Sequence, residues 1–213
     1  PLPCTATEIG PGPGGLTRAL LREHAAHVSA IEKDRRASSI LSSLCRAAGD
    51  RLSLIEADAL ESPIWEFGTA PRRIIANLPY NIATTLLIRW LAHAAAFESM
   101  TLMFQREVAE RITARPGDPT YGRLSVLTGY YADAEILFDV PAEAFVPAPK
   151  IMSSVVQIVP LAQPHYDCSA QALELITRTA FGQRRKMLRS SLKKINGEQL
   201  LAAAGIDPEA RPQ

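Results

Sequence analysis

Residues 8–15 read Glu-Ile-Gly-Pro-Gly-Pro-Gly-Gly and separate a short apolar segment from a helical pattern. Residues 6–10 predict the strand, and Leu16, Ala19 and Leu20 predict one apolar face of the following helix. Glycines at this position let the backbone approach a ligand closely, because they lack a Cβ and accept positive φ. A strand, a glycine turn and a helix in this order predict a nucleotide site at the carboxyl edge of a parallel sheet.

Apolar, β-branched segments alternate with helical periodicity through most of the chain. This alternation predicts an α/β protein whose mostly parallel, seven-stranded sheet has an antiparallel edge strand and is covered by helices. The last two strands are close in sequence, and we expect them to pair antiparallel at the sheet edge. The predicted strands are residues 6–10, 28–32, 52–57, 73–77, 100–104, 135–140 and 153–160.

After Pro164 the strand pattern ends, and three further helical segments predict a small α-helical domain. We therefore divide the chain into an α/β domain at residues 1–162 and a small helical domain at residues 163–213. The predicted helices are residues 83–96, 106–114 and 121–131 in the first domain and residues 170–181, 185–195 and 197–204 in the second.

Composition excludes several classes of protein. A chain of 213 residues with 47% hydrophobic content can bury a full core. It contains no apolar run long enough to span a membrane and no signal-peptide pattern at its N-terminus, so we expect a cytoplasmic location. Its three cysteines form no C-x-x-C pair and lie near no histidine cluster, which argues against a disulfide framework and a metal site. We expect a monomer.

The net charge of +1 conceals a strong asymmetry. Residues 178–194 contain seven basic residues and no acidic one, so the remainder holds 16 of the 23 basic residues and all 22 acidic ones. A basic segment of this kind favours a polyanionic partner, although a solvated face is the simpler alternative. In a helix starting near Arg184, Leu188, Leu192 and Ile195 would share the inward face. The candidate residues for contact with a nucleic acid are Arg184, Arg185, Lys186, Arg189 and Lys193.

Acidic residues end the second and third predicted strands. Glu32 lies 22 residues after Gly10, where a carboxylate can accept hydrogen bonds from the two hydroxyls of a ribose. Asp58 follows the third strand and could accept a hydrogen bond from an adenine amino group. Each could instead cap a helix or face solvent. Three such features at successive strand ends favour a bound adenosine, and they suit NAD and S-adenosylmethionine equally well.

The fourth strand ends in Asn77-Leu78-Pro79-Tyr80. This tetrapeptide resembles the Asn/Asp-Pro-Pro-Tyr/Phe signature of methyltransferases that act on exocyclic amino groups of bases. Seven segments together resemble the ribosomal RNA adenine dimethyltransferase family across essentially the whole chain. They are residues 8–15, 30–32, 77–81, 105–111, 121–126, 145–154 and 181–192.

The resemblance implies a Rossmann-like methyltransferase fold and dimethylation of two adjacent adenines in a hairpin near the 3' end of small-subunit (16S) ribosomal RNA, within a pre-ribosomal particle. Members of the family carry a Gln-Asn/His-Phe-Leu segment ahead of the first strand that closes over the cofactor. These 213 residues contain no such segment. If it is only unseen, we expect an intact enzyme, whereas its true absence would put catalysis, but not the fold, in doubt. The predicted contacts to S-adenosylmethionine are Glu8, Gly10, Gly12, Glu32, Asp58, Ala59 and Asn77.

The residue types at the fourth strand end suit transfer to an amino nitrogen. The Asn77 side-chain oxygen and the Leu78 carbonyl, held on a turn stiffened by Pro79, can accept the two amino hydrogens and favour a tetrahedral nitrogen. A stacked base cannot reach this turn, so the adenine must be extruded. Tyr80 is the candidate for stacking on one face of the base and Phe145 for the other, although Phe145 could be an ordinary core aromatic.

Three alternatives remain open from the sequence. An NAD-dependent dehydrogenase would explain Gly10, Gly12 and Glu32 but neither the turn at Asn77 nor the basic segment. A non-catalytic RNA-binding assembly factor would explain the basic segment alone. A large-subunit RNA methyltransferase of the antibiotic-resistance type would share both the fold and the catalytic turn.

Overall fold

The computed structural model describes residues 4–146, 148, 150–164 and 166–212. Its seven strands form one sheet in the order β3-β2-β1-β4-β5-β7-β6. The first five are parallel, whereas β7 runs antiparallel to both β5 and β6. The seven-stranded sheet and the antiparallel pairing of the last two strands are therefore confirmed. The strands are β1 Thr5–Ile9, β2 His27–Glu32, β3 Leu52–Glu56, β4 Arg72–Asn77, β5 Ser99–Gln105, β6 Ala132–Val140 and β7 Ser153–Pro160.

Helices cover both faces of the sheet because side chains along the inner strands alternate between two apolar clusters. In β2, Val28 and Ala30 belong to the cluster under α1 and α2, whereas Ile31 belongs to the larger cluster on the other face. Trp90 of α3 and Phe104 of β5 are fully buried in that larger cluster. The helices of this part are α1 Gly15–Arg22, α2 Arg35–Ala48, α3 Tyr80–Leu91, α4 Arg106–Thr113 and α5 Arg123–Tyr131.

The C-terminal helices have an apolar cluster of their own, built around Ala180, Leu192 and Leu201. This separate cluster is what a small helical domain requires, and the division at residue 162 stays a prediction. The helices are α6 Ala170–Phe181, α7 Leu188–Ser191 and α8 Gly197–Ala204.

The continuous helix predicted for residues 185–195 is wrong. After α6 the chain turns, and only the four residues of α7 and a 3-10 turn at Lys193–Ile195 are helical. The Leu188 N–H donates to the Ala210 carbonyl at 2.8 Å, and the Arg189 N–H donates to the Pro208 carbonyl at 3.0 Å. Because the C-terminal tail satisfies these donors, the helical ladder does not extend back from them. Leu188, Leu192 and Ile195 nevertheless pack together, as predicted.

The described residues contain neither a membrane-spanning helix nor a metal-binding group. No helix in them is both long and apolar enough to cross a membrane. Nor do they bring together three or more His, Cys, Asp or Glu side chains in a group that could hold a metal ion.

Candidate active site

The glycine turn connects β1 to α1 in the middle of the sheet. Gly10 has φ 64° and Gly12 has φ 53°, a left-handed conformation that side chains disfavour. The Gly10 N–H donates to the Ile31 carbonyl at 2.9 Å, which ties the turn to β2. A Cβ on Gly10 would lie 3.9 Å from Cδ of Pro79, so the turn adjoins the end of β4. Beside Gly12, none of the described atoms lies within 4 Å of a Cβ position, which leaves room for a ligand.

Glu32 links this turn to the end of β2. Its carboxylate accepts hydrogen bonds from the Gly12 N–H at 3.4 Å and the Asp34 N–H at 2.8 Å. The cap of α2 is Asp34 itself, whose carboxylate accepts the Arg36 N–H at 2.9 Å. The alternative role of Glu32 as the helix cap is therefore wrong. A carboxylate has about four acceptor sites, so Glu32 can still accept from ligand hydroxyls.

Asp58 follows β3 at the same edge of the sheet. One carboxylate oxygen accepts the Leu60 N–H at 2.9 Å, and the other lies 2.7 Å from the Lys33 ammonium. The hydrogen bond from Lys33, followed by that from Leu60, lowers the pKa of Asp58. The group is thus an anionic acceptor at neutral pH. Ala59, next in the chain, is buried.

Glu8 is the buried acid of the site, with a side chain in the interior beneath the glycine turn. It is 2% exposed, and its Oε2 atom has no hydrogen-bond partner among the described residues. Burial raises the pKa of Glu8 to about 7, against the smaller opposing effect of the neighbouring Thr17. A buried acceptor without a partner fits a polar or cationic ligand group, which would supply the missing hydrogen bond.

The turn at residues 77–80 connects β4 to α3. The Leu78 side chain is buried in the larger cluster and anchors the turn, whereas Asn77 is exposed at the strand end. Pro79 has φ −59° and is the N-cap of α3, and its carbonyl accepts the Ala83 N–H at 3.1 Å. The polar side chain of Asn77 is thus presented to solvent beside the glycine turn on a rigid support.

Tyr80 begins α3 and is half-buried. Its hydroxyl forms a 2.5 Å hydrogen bond with the hydroxyl of Ser153, the fully buried first residue of β7. The neighbouring Ser154 hydroxyl donates to Asp139 at 2.6 Å, and Arg106 lies 3.1 Å from the same carboxylate. The orientation of Tyr80 therefore depends on β7, which sequence reasoning did not reveal.

Phe145 follows a 3-10 turn at Ala142–Ala144 and is half-buried. It belongs to none of the apolar clusters formed by the described residues, so an ordinary core role is not favoured. Pro147 and Pro149 of the same proline-rich segment lie outside the described residues. Stacking of Phe145 on a base stays a prediction.

Comparison with known proteins agrees with this geometry. The ribosomal RNA adenine dimethylase family matches the chain over residues 4–211. The chain belongs to this family. Ribosomal RNA small subunit methyltransferase A of Bartonella tribocorum is 58% identical over 212 residues, which cover 97% of this chain and 76% of that protein.

Two solved structures of related enzymes have the same overall fold. A dimethyladenosine transferase from Plasmodium falciparum is 27% identical, with a TM-score of 0.72 over 98% of this chain and 77% of that one. The 23S rRNA methyltransferase ErmE is 26% identical, with a TM-score of 0.72 over 98% of this chain and 84% of that one. A dimethyladenosine transferase and a 23S rRNA methyltransferase therefore share this architecture.

The basic residues predicted to contact RNA differ in their surroundings. Arg184 donates to the carbonyls of Pro119 at 2.9 Å and Tyr121 at 2.7 Å, which attaches the C-terminal part to the loop before α5. Arg189 forms an ion pair with Glu209 at 3.2 Å. The guanidinium of Arg184 is thus committed to the protein itself. Arg189 and the remaining predicted residues, Arg185, Lys186 and Lys193, are exposed, and contact of these four with RNA stays a prediction.

The structure contains a cleft, between the sheet-covering helices and the C-terminal helices, that the sequence did not predict. It has a volume of about 410 Å³ and lies between α3, α4, the start of α5 and the end of α6. Arg111, Arg123 and Arg184 contribute to its wall, and Thr84 lies in it one helical turn after Tyr80. These arginines are scattered through the sequence, so no local pattern could have indicated the cleft.

Proposed function

We propose that this chain transfers methyl groups from S-adenosylmethionine to the N6 amino groups of two adjacent adenines in a 3'-terminal hairpin of small-subunit ribosomal RNA. The product is N6,N6-dimethyladenosine. The proposal rests on the proximity of the glycine turn to the catalytic turn. A Cβ on Gly10 would lie 3.9 Å from Cδ of Pro79, near the centre of the sheet. This arrangement brings a cofactor site and an amino-nitrogen site together.

The residues present fit S-adenosylmethionine. Glu32 suits the ribose hydroxyls and the anionic Asp58 suits the adenine amino group, with Ala59 beside it. The unpartnered oxygen of Glu8 and the open space at Gly12 suit the amino-acid end of the molecule. When bound, S-adenosylmethionine supplies a methyl group activated on a sulfonium centre. The NAD alternative leaves the turn at residues 77–80 unexplained.

The protein's part in transfer is alignment of the adenine nitrogen and withdrawal of its lone pair from the ring. The Asn77 side-chain oxygen and the Leu78 carbonyl accept the two amino hydrogens, which favours a tetrahedral nitrogen. Preorganised acceptors of this kind commonly contribute ~100-fold or more in rate. A general base is not needed before transfer, because the ammonium product is acidic enough to lose its proton afterwards.

The target adenine has to leave its stack to reach Asn77. Tyr80, fixed by Ser153, would stack on one face of the extruded base, and Phe145 would stack on the other. The pocket must still admit the monomethylated nitrogen, because each adenine receives two methyl groups.

Ribosomal RNA within a pre-ribosomal particle is the proposed partner. The proposed location is the cytoplasm, and the proposed active form is a monomer. Arg185, Lys186, Arg189 and Lys193 would contact backbone phosphates and position the particle. The cleft beside α3 would lie between that surface and the base pocket. Target choice would rest with the base pocket.

One experiment tests the proposed function directly. Purified small and large ribosomal subunits lacking the modification are incubated with the protein and methyl-labelled S-adenosylmethionine, and the labelled base is mapped. The expected result is N6,N6-dimethyladenosine at two adjacent adenines of the small-subunit RNA. Label in the large subunit would assign the protein to the other ribosomal substrate, and particle binding without label would make it an assembly factor.

A further inference from the structure

Arg89 lies near the C-terminal end of α3, the helix whose first residue is Tyr80. Its guanidinium donates one hydrogen bond to the Leu60 carbonyl and another, at 3.2 Å, to the Glu61 carbonyl. The same group lies 5.3 Å from the centroid of the Trp65 ring. Arg89 thus contacts three residues of the segment between β3 and β4.

This segment begins at Asp58 and is tightly wound. The Asp58 carbonyl accepts the N–H groups of Glu61 and Ser62, both at 3.0 Å, and the Ser62 hydroxyl at 2.8 Å. The Asp58 carboxylate in turn accepts the Leu60 N–H at 2.9 Å. Displacement of the Leu60 and Glu61 peptide groups would therefore move the Asp58 carboxylate with them.

Arginine suits this task better than other cations. Its planar guanidinium presents several donors in a fixed geometry, so one side chain can hold two adjacent carbonyls in a fixed relation. Trp65, which stacks on His93 with ring centroids 3.7 Å apart, provides the surface over which the guanidinium lies. The segment is thereby fixed from α3, the element that also carries the start of the base pocket.

We propose that Arg89 is a positioning residue for adenine recognition: its bonds to Leu60 and Glu61 set the place of Asp58, which distinguishes the adenine amino group of the cofactor. The inference rests on the proposed function, because it assumes that S-adenosylmethionine binds at Asp58. Arg89 itself touches neither the cofactor nor the target base.

The test compares two ligands that differ at the recognised position. S-adenosylhomocysteine carries the amino group that Asp58 accepts, whereas S-inosylhomocysteine carries an oxygen there. Dissociation constants of both are measured by calorimetry for the parent protein, Arg89→Met and Arg89→Lys. The parent should prefer the adenosyl ligand at least ~10-fold, because a site built for a hydrogen-bond donor rejects a ligand that lacks it. Arg89→Met should lose most of this preference, and Arg89→Lys should keep an intermediate share.

Arg51 provides a matched control. Its guanidinium also donates to two backbone carbonyls, those of Leu21 at 2.6 Å and Ala25 at 3.0 Å. It lies just before β3, however, at the opposite end of that strand from Asp58. Arg51→Met should lower the melting temperature and leave the ligand preference unchanged. The Arg89→Lys variant keeps the cation, so it serves if Arg89→Met does not fold.

The possible outcomes separate failure of the role of Asp58 from failure of the role of Arg89. A parent protein that binds both ligands equally would overturn the role of Asp58 and, with it, that of Arg89. If the parent prefers the adenosyl ligand and both Arg89 variants keep the same preference, the role of Arg89 is overturned and that of Asp58 stands. The same holds if Arg51→Met loses the preference as completely as Arg89→Met, because the effect would then be general destabilisation.

Discussion

The hydroxyl of Tyr80 lies 2.5 Å from the hydroxyl of Ser153, so the first residue of α3 is held by the first residue of β7. The two residues are 73 positions apart in sequence. The bond holds the ring of Tyr80 at its hydroxyl end and does not itself occupy the ring faces. It also connects the catalytic turn to the strand that follows Phe145 and the proline-rich segment.

Removal of either partner of this bond should have the same small effect. Tyr80→Phe and Ser153→Ala should each lower the single-turnover rate of methylation of the small subunit by roughly 5-fold, the loss expected for a hydrogen bond of about 1 kcal/mol. The double variant should be no slower than either single one, because both remove the same bond. Additive losses in the double variant would mean that the two hydroxyls act independently.

Loss of the Tyr80 ring should be more severe. Stacking of a base on an aromatic side chain contributes about 1 to 3 kcal/mol, so Tyr80→Ala should fall roughly 5- to 150-fold below Tyr80→Phe in the same assay. Affinity for S-adenosylmethionine should be similar in both variants. If Tyr80→Phe and Tyr80→Ala were equally slow, the ring would not be the stacking group.

Asn77→Ala should separate chemistry from cofactor binding. Its methylation rate should fall by ~100-fold or more because one preorganised acceptor is lost, while calorimetric affinity for S-adenosylmethionine stays within about 3-fold of the parent. Asn77→Asp keeps acceptor oxygens at the same position and should be faster than Asn77→Ala. A large loss of cofactor affinity in Asn77→Ala would mean that this side chain acts chiefly through its predicted contact with the cofactor and not on the target nitrogen.

Glu32→Ala should weaken S-adenosylmethionine binding by about 1 to 3 kcal/mol, the usual loss for hydrogen bonds to a charged acceptor. Glu56 provides the control, because it is the register neighbour of Glu32 in β3 and is exposed. Glu56→Ala should bind the cofactor like the parent. An unchanged dissociation constant in Glu32→Ala would move the ribose elsewhere.

The buried Glu8 should make stability depend on pH. Its pKa is raised by burial from 4.5 to about 7, so the folded protein holds this proton after the unfolded chain has released it, and stability falls as pH rises through that interval. The full loss is about 3 kcal/mol. Glu8→Gln should remove this dependence, as measured by urea unfolding of both proteins at pH 5 and pH 8 (roughly the ends of the interval). If the free energies of unfolding of the parent and of Glu8→Gln differed by the same amount at both pH values, the pKa of Glu8 would not be raised by folding.

The sequence predicted those parts of the fold and the site that depend on neighbouring residues, and it did not predict contacts between distant segments. The five parallel strands, the glycine turn and the acidic strand ends were predictable, because short apolar runs and their terminal residues are local features. The bond between Tyr80 and Ser153 was not, and neither was that between Arg89 and Leu60, because each joins distant segments. The break before α7 was missed for the same reason, since the tail near Ala210 supplies acceptors that periodicity cannot register.

The insertion of β7 between β5 and β6 constrains how the molecule can fold. In the described sheet β6 pairs with β7 alone, yet β6 comes first in the chain. A chain growing from its N-terminus therefore exposes β6 before its only neighbour in the sheet exists, and closing that part of the sheet brings distant segments together. Until residue 153 has emerged, Gly10 and Asn77 can be in place while Tyr80 still lacks its anchor. Completion of the base pocket thus has to wait until Ser153 has been synthesised.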